Sequence, residues 1–379
     1  MEKSDYVEWV ISRIRPRARF VSVSHTDEFM PKEAEIGTGF SYVSLYDEEI
    51  ASNVIRTKNG IILIDNSYLS SFAYNLALSR VYAVSMQEST GTDEALLLRY
   101  NLKKFYGEQL FSKHNDSFSR AVLLETLLYE EKHMRPVFAS IKDNADFQYT
   151  ASTLSQIMSS LVVNHEMGHY YLDHSPEICE PVFLKNQTAI TPILNFAEVE
   201  YGKPFATEVK CDVIAVYSVL HLHEKTSGLL FCLRAIAFGF AAFAATSSLA
   251  KSAAYTAASH RKIQEEIDLT SIKKTHIDFD YAIGKDLDFI ERAKLVIQLC
   301  ANIAQVNGMN LFSNEPAFPL QDNILDHILS IMDQVMESSD PLEREMALLV
   351  SQGFHGHPDG IDYLYLRSKV YTSYRDIGN

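Results

Sequence analysis

Residues 161–173 read LVVNHEMGHYYLD and lie inside a longer stretch, 150–173, that has the periodicity of an amphipathic helix. Its apolar stripe is formed by Leu154, Ile157, Met158, Leu161 and Val162. Because these positions recur every three or four residues, the pattern predicts an α-helix. His165 and His169 are four residues apart, about 40° around the helix axis, so both project from the same face.

The histidine pair belongs to an HExxH motif, His165-Glu166-Met167-Gly168-His169. Two neutral imidazoles on one face can occupy two corners of a tetrahedral zinc site. Glu166 lies about 100° further around the helix, where its carboxylate can contact a water molecule on the metal and take a proton from it. The motif therefore predicts a zinc cofactor with Glu166 as catalytic base. The alternative is two histidines beside an incidental glutamate, since short motifs also arise by chance.

A catalytic zinc site needs a third protein ligand. His174 is the nearest further histidine, but it lies five residues beyond His169 and about 140° away around the helix. A continuing HExxHxxGxxH pattern would need glycine and histidine where the chain has Leu172 and Ser175. The third ligand is therefore expected from another segment.

Glu208 is the better candidate, in the run ATEVKCDVIA at 206–215. It lies four residues before Asp212 on a helix predicted over 208–222, so both carboxylates face the same way. Cys211 and Ala215 are small, which allows this helix to approach the first closely. Asp212 could accept a hydrogen bond from the outer ring nitrogen of a ligand histidine and fix its tautomer. The alternative is an ordinary solvated pair of carboxylates at helical spacing.

An HExxH helix followed by Glu-x-x-(small)-Asp resembles the gluzincin-type zinc peptidases. The runs 161–175, 206–215 and 275–296, with an Ala-rich apolar helix before the last, look most like the bacterial phage-exclusion peptidases of the Lit type. The similarity covers roughly residues 150–300. It implies that His165, His169 and Glu208 bind zinc, that Glu166 is the general base, and that Asp212 supports a ligand histidine.

Two positions depart from the family pattern. Cys211 replaces the usual alanine, and Ile277 replaces the proline of a Thr-His-Pro segment. The resemblance implies that His276 in that segment contacts the substrate or its oxyanion, and His357 in Gly-His-Pro at 356–358 is a second candidate for this contact. Either histidine could stabilise a tetrahedral intermediate. The alternative for each is a surface histidine without a role.

Composition excludes several classes of protein. The chain has 379 residues and a formal net charge of −15, without a basic cluster, which argues against a nucleic-acid partner. Four widely spaced cysteines form no CxxC pair and indicate neither a disulfide framework nor a Cys-rich zinc module. The first residues lack the apolar run and cleavage site of a signal peptide. We therefore expect a cytoplasmic protein.

One segment, GLLFCLRAIAFGFAAFAATSSLA at 228–250, has the composition of a membrane helix. Arg234 interrupts it, and the uncharged remainder is shorter than the roughly 20 apolar residues of a span. The segment is predicted to be a buried helix, with no membrane contact. The alternative is a membrane-embedded zinc peptidase of the prenyl-protein-processing type, which would need at least one more span.

The fold class predicted from these patterns is α+β, mainly α. Residues 53–65 predict a hairpin with a turn at Lys58-Asn59-Gly60, and helices are predicted over 67–86, 93–111, 118–133, 286–304 and 323–336. The helix over 118–133 is expected to stop at Arg135-Pro136. The predicted domains are a mixed α/β region at 1–116, a metallopeptidase core at 117–311 and a helical region at 312–379. By the resemblance, the core is zincin-like.

The function expected from the motif and the resemblance is zinc-dependent hydrolysis of peptide bonds in a protein substrate. The resemblance also implies a role in bacterial phage defence or a stress response. A different class of protein keeps the zinc for stability alone, as a regulatory or interaction protein without turnover. Replacing Glu166 with glutamine separates the two, because only an enzyme loses an activity by that change.

Overall fold

The computed structural model describes residues 2–337, apart from position 17 and the stretches 27–28, 30–38, 47–52, 87–95, 114–121, 124–125, 128, 143, 270–285 and 313–317. The described chain is mainly helical, with one four-stranded sheet near its start. This confirms the predicted α+β, mainly α class.

The sheet consists of strands β1 (Arg19–His25), β2 (Phe40–Tyr46), β3 (Asn53–Thr57) and β4 (Gly60–Asn66). Their spatial order is β1-β2-β4-β3. The β2/β4 pair is parallel, whereas β1/β2 and β3/β4 are antiparallel. Helix α1 (Lys3–Ile14) lies against the sheet, and their shared core contains Tyr6, Val7, Ile11, Phe29, Val43, Leu45, Ile62 and Ile64.

The β3/β4 pair is the predicted hairpin. Its turn depends on Gly60, which has a φ of 123° that side chains rarely adopt. A Cβ at this position would also lie 2.3 Å from the Gly39 carbonyl oxygen, which accepts a hydrogen bond from Ile61. Glycine is therefore needed both for the turn and for the close approach of the preceding chain.

The remaining elements are helices. They are α2 (Ser67–Met86), α3 (Leu96–Lys113), α4 (Arg135–Lys142), α5 (Ala145–His174), α6 (Pro176–Lys185), α7 (Gln187–Tyr201), α8 (Lys203–Ser227), α9 (Leu229–Leu269), α10 (Leu287–Val306) and α11 (Ile324–Glu337). Those predicted over 67–86, 93–111, 150–173, 208–222, 286–304 and 323–336 agree with the structure to within five residues at each end. The helix predicted over 118–133 lies partly outside the described residues, and the helices at 135–142, 176–185 and 187–201 were not predicted.

The predicted helix stop at Arg135-Pro136 is wrong. A π-helical turn, Glu130–Met134, runs directly into α4, in which Pro136 is the second residue. Proline has no N–H to donate and its ring clashes with the carbonyl four residues earlier. In a π turn each N–H bonds to the carbonyl five residues back, so the backbone hydrogen-bond pattern has already changed where the proline enters the helix.

Helix α9 contains the apolar segment that could be mistaken for a membrane span. Leu229–Ala254 is the one helical stretch of the described residues that is long and apolar enough to cross a bilayer, but 83% of its most apolar part is buried inside the protein. Arg234 is itself fully buried and donates from Nε to the Leu311 carbonyl oxygen at 2.9 Å. This apolar segment of α9 is therefore mostly buried, as predicted. The absence of a membrane partner and the cytoplasmic location stay predictions.

The chain divides into two compact units that interleave along the sequence. The first comprises Met1–Leu78, Tyr149–Phe240 and Glu291–Asp322, and it contains the sheet, the HExxH motif and Glu208. The second comprises Ser79–Gln148, Ala241–Ile290 and the described residues from Asn323 onward. In the second unit α3 contacts α11, where Arg99 donates to the Gln334 side chain at 2.7 Å. The three-domain division drawn from sequence stays a prediction.

Candidate metal centre

Helices α5 and α8 approach closely at the candidate centre. A Cβ added to Gly168 would lie 3.0 Å from the Cα of Cys211 and 3.3 Å from its carbonyl oxygen. Contacts of 3.0 Å are tighter than nine in ten real Cβ contacts, so a side chain here would require the backbone of one helix to shift by a few tenths of an ångström. The contact brings the face that carries His165 and His169 against the face that carries Glu208.

Three predicted ligands converge there. The Nε2 atom of His165 is 3.4 Å from one carboxylate oxygen of Glu208, and the Nε2 atom of His169 is 3.5 Å from the other. Donor atoms of all three residues lie within 4.8 Å of one another, the one such group of His, Cys, Asp or Glu in the described residues. Ligands about 2.0–2.1 Å from a tetrahedral zinc ion are roughly 3.3 Å apart. The donor set could therefore hold a metal ion, and its two imidazoles and one carboxylate are ligand types that zinc accepts.

Asp212 fixes the orientation of the His165 ring. One oxygen of this carboxylate is 2.8 Å from Nδ1 of His165, and the Asp212 side chain is only 1% exposed. The Nδ1–H group therefore donates to Asp212, which leaves Nε2 as the ring atom that faces Glu208 and that could bind a metal ion. This is the place that the sequence predicted for Asp212.

Arg292 completes the cluster. The resembled family has an arginine after its Thr-His-Pro segment, where this chain has Arg292, but the sequence assigned the residue no role. Arg292, on α10, donates from Nε to one oxygen of Asp212 at 2.8 Å and from Nη2 to the other at 2.7 Å. Its Nη1 atom is 3.2 Å from Glu208. A buried aspartate on an apolar helix face requires a cationic partner. That signal was present in the sequence, but it does not identify which cation 80 residues away supplies it.

The charges in the cluster shift one another's titration. Burial opposes protonation of His165, yet Asp212 and Glu208 raise the pKa of its imidazole to about 9. Hydrogen bonds from His165 and His169 hold the pKa of Glu208 well below its usual range. Burial works against ionisation of Asp212, but the charges of Arg292 and His165 lower its pKa. The two carboxylates are therefore ionised, which metal binding requires of Glu208.

Glu166 has the opposite shift. Burial raises the pKa of its carboxyl group, against the opposing charges of His165 and His169. A general base is most effective when its pKa approaches the working pH. Glu166 is next to His165 in the chain, and the direction of its pKa shift is the one that suits a general base.

Other histidines considered in the sequence lie apart from this cluster or outside the described residues. His174, near the C-terminal end of α5, has its Nδ1 atom 2.7 Å from the Arg56 guanidinium. His276 and His357 lie outside the described residues, so their contact with an oxyanion stays a prediction.

Comparison with known proteins gives no relative: no family model, curated protein or solved structure matches the chain. The functional argument therefore depends on the chemistry and geometry of the site. Two imidazoles, a carboxylate ligand and a neighbouring raised-pKa carboxyl group are suited to hydrolysis assisted by a divalent metal ion.

Proposed function

We propose that this protein is a zinc-dependent metallopeptidase, built on a zincin-like core, that hydrolyses peptide bonds of a protein substrate. The observation that carries the proposal is the convergence of His165, His169 and Glu208, with Glu166 next to the first of these ligands. By the motif resemblance to the Lit-type peptidases, we assign the activity to bacterial phage defence or a stress response.

Each residue has a distinct task in this reaction. His165, His169 and Glu208 hold the zinc ion, which when bound supplies a Lewis acid that acidifies water and polarises the scissile carbonyl. Glu166 accepts the proton of the attacking water and returns it to the leaving amine. Asp212 keeps the His165 ring in the tautomer that presents Nε2 to the metal.

The sheet supports a peptide as the substrate. Within the described part of the chain, β3 pairs only with β4, so its other side presents unpaired backbone N–H and C=O groups. Such a strand can accept an extended peptide by adding it to the sheet. Arg56 of β3 contacts His174, five residues beyond His169 on α5, so this strand lies beside the helix that carries the motif.

Metal analysis and peptide cleavage of the full chain test the proposal together. The variants are Glu166→Gln and Glu208→Ala, with Glu224→Ala as a control because Glu224 is an exposed glutamate on the same helix as Glu208. Zinc content is measured by elemental analysis, and cleavage by mass spectrometry of a proteome-derived peptide library before and after incubation.

We expect near-stoichiometric zinc in the wild type, Glu166→Gln and Glu224→Ala, and loss of zinc in Glu208→Ala. Cleavage should fall by about 10²–10⁴-fold in Glu166→Gln, because the proton acceptor is lost while the metal stays. A wild type that holds zinc but cleaves no peptide would favour the regulatory protein without turnover. Cleavage in Glu166→Gln at the wild-type rate would refute the assigned mechanism.

A further inference from the structure

We propose that Arg292 is a positioning residue of the metal centre, which holds Asp212 and Glu208 in the ligating arrangement before the cation binds. The inference rests on the zinc site of the proposed function and adds a residue that the motif does not contain. It assigns to Arg292 no contact with the metal or the substrate.

Arg292 holds Asp212 through a fork of two hydrogen bonds. Two guanidinium nitrogens donate to the two oxygens of one carboxylate, at 2.8 and 2.7 Å. Paired bonds of this kind fix the plane of the carboxylate as well as its distance. Because Asp212 in turn accepts from Nδ1 of His165 at 2.8 Å, the orientation of a predicted zinc ligand depends on this fork.

The same guanidinium also contacts a second residue of the site, the proposed ligand Glu208. Its Nη1 atom is 3.2 Å from Oε2 of Glu208, the oxygen that faces His165, while Oε1 faces His169. Arg292 therefore connects a ligand with the partner of another ligand. The Arg292 side chain is 13% exposed, so these contacts are made largely away from water.

The positive charge of Arg292 acts against zinc binding, in the opposite direction to its effect on the geometry of the ligands. A fixed cation repels zinc, so an arginine that only neutralised carboxylates would weaken zinc binding, and its removal would tighten it. The cluster, however, contains three carboxyl groups, those of Glu166, Glu208 and Asp212, beside the one guanidinium of Arg292, so acidic groups remain in excess for a divalent cation. We infer that the gain from fixed geometry exceeds the repulsion.

Helix α10 fixes the position of Arg292 itself. It lies in the second turn of α10, whose first turn is capped by Asp286 through a hydrogen bond from the Phe289 N–H at 3.3 Å. A side chain on a capped helix is held more precisely than one on a loop. Helix α10 thus holds the guanidinium beside the residues of α5 and α8 that form the site.

The zinc dissociation constant of the full chain, measured by chelator competition, tests the inference. Arg292→Lys keeps the charge but cannot form the fork, and Arg292→Met removes both. Lys294→Ala is the matched control, since Lys294 lies on the same helix with its side chain half exposed and pairs with Glu291. We expect the dissociation constant to rise about 10–100-fold in both Arg292 variants and to stay unchanged in Lys294→Ala.

A second readout separates positioning from loss of folding. The visible absorption of the Co²⁺-substituted protein reports ligand geometry, and we expect its bands to change in Arg292→Lys, a variant that still supplies the charge Asp212 needs. Zinc binding by Arg292→Lys as tight as in the wild type, with the same Co²⁺ spectrum, would overturn the inference. So would tighter binding by Arg292→Met. A wild type that binds no zinc would overturn both proposals, whereas unchanged Arg292 variants of a zinc-binding wild type overturn only this one.

Discussion

Asp212 shows how single residues determine the candidate centre. Burial of a carboxylate that is 1% exposed would destabilise the folded protein unless its charge were paired and its oxygens accepted hydrogen bonds. Both oxygens of Asp212 have partners, the guanidinium of Arg292 and the ring of His165. The residue therefore connects the charge balance of the cluster with the tautomer of one ligand.

Asp212→Asn tests this connection. The amide has nearly the size of the carboxylate, but it carries no charge and presents an NH₂ group to one of its two donors. Because the His165 ring would no longer be held by a charged acceptor, we expect zinc affinity to fall about 10–100-fold, measured by chelator competition. Asp173→Asn, an exposed change on α5, is the control and should bind zinc like the wild type. Equal affinity in the two variants would contradict the role of Asp212.

At the scale of elements, the α5–α8 contact determines whether the ligands meet. Gly168 lies between His165 and His169, and Cys211 lies between Glu208 and Asp212. The closest backbone approach of the two helices is thus flanked on both sides by residues of the candidate centre. A change in helix separation at this point would change every ligand distance across the site.

Gly168→Ala is the test of that approach. Alanine favours the helix over glycine by about 1 kcal/mol, but its Cβ would lie 3.0 Å from the backbone of Cys211, so one helix must move. We expect weaker zinc binding in a chelator competition, whatever the net change in the free energy of unfolding.

The matched control is Gly239→Ala on α9. Its added Cβ meets a flexible side chain, Met158, at 3.1 Å and not backbone. Zinc affinity should therefore stay at the wild-type value in this variant. If both glycine variants bind zinc equally well, the close approach is not what sets the ligand spacing.

The start of α10 depends on Asp286. Its carboxylate accepts from the Phe289 N–H, from Ser247 at 2.5 Å and from Lys251 at 2.6 Å, and its own N–H donates to Ser248 at 3.0 Å. Burial works against ionisation, but these donors lower the pKa of Asp286 below its ordinary 3.8. The ionised form therefore stabilises the folded state above the unfolded pKa, and this contribution is lost as the pH falls through the folded pKa.

Two variants of Asp286 separate its cap from its charge. Asp286→Ala removes both and should lower the free energy of unfolding by about 0.5–2 kcal/mol near neutral pH. Asp286→Asn keeps an acceptor for the cap and should cost less, because the Lys251 side chain is half exposed and its ion pair is screened. Urea unfolding between about pH 6 and pH 2.5 should show the difference between wild type and Asp286→Asn shrinking as the pH falls. A difference that grows toward low pH would contradict the lowered pKa.

At the scale of the whole molecule, the candidate centre joins segments that are far apart in the chain. Its residues come from α5, α8 and α10, and all of them belong to the first compact unit. A cation bound by both α5 and α8 therefore links parts of that unit that no covalent bond joins directly. Since the unfolded chain lacks this arrangement, binding should stabilise the fold.

Thermal unfolding with added zinc or with a chelator measures that stabilisation. Free zinc at one hundred times its dissociation constant should add about 2.7 kcal/mol to the free energy of unfolding. The midpoint temperature of the wild type should rise with zinc and fall with the chelator, whereas Glu208→Ala should respond to neither. An equal response of Glu208→Ala would place the stabilising cation somewhere else.

Sequence by itself determined the features that depend on local periodicity. The helical spacing of apolar residues predicted α5 and α8, and the Asn-Gly pair predicted the β3/β4 hairpin. Intervals of four residues placed His165 and His169 on one helix face. The same interval placed Glu208 and Asp212 on another. These follow because backbone hydrogen bonding fixes 3.6 residues per turn in a helix and two in a strand. The local rule failed at Pro136, where a π turn let the helix continue.

Only the tertiary structure decided which faces meet. Three contacts join residues that are distant in the chain. They are the pairing of Arg292 with Asp212, the close approach of Gly168 to Cys211, and the position of Glu208 near two imidazoles. No spacing rule encodes such contacts, because they depend on how whole helices pack and on the need of buried charges for partners. The sequence could name a ligand set, but its convergence and its supporting arginine follow from packing.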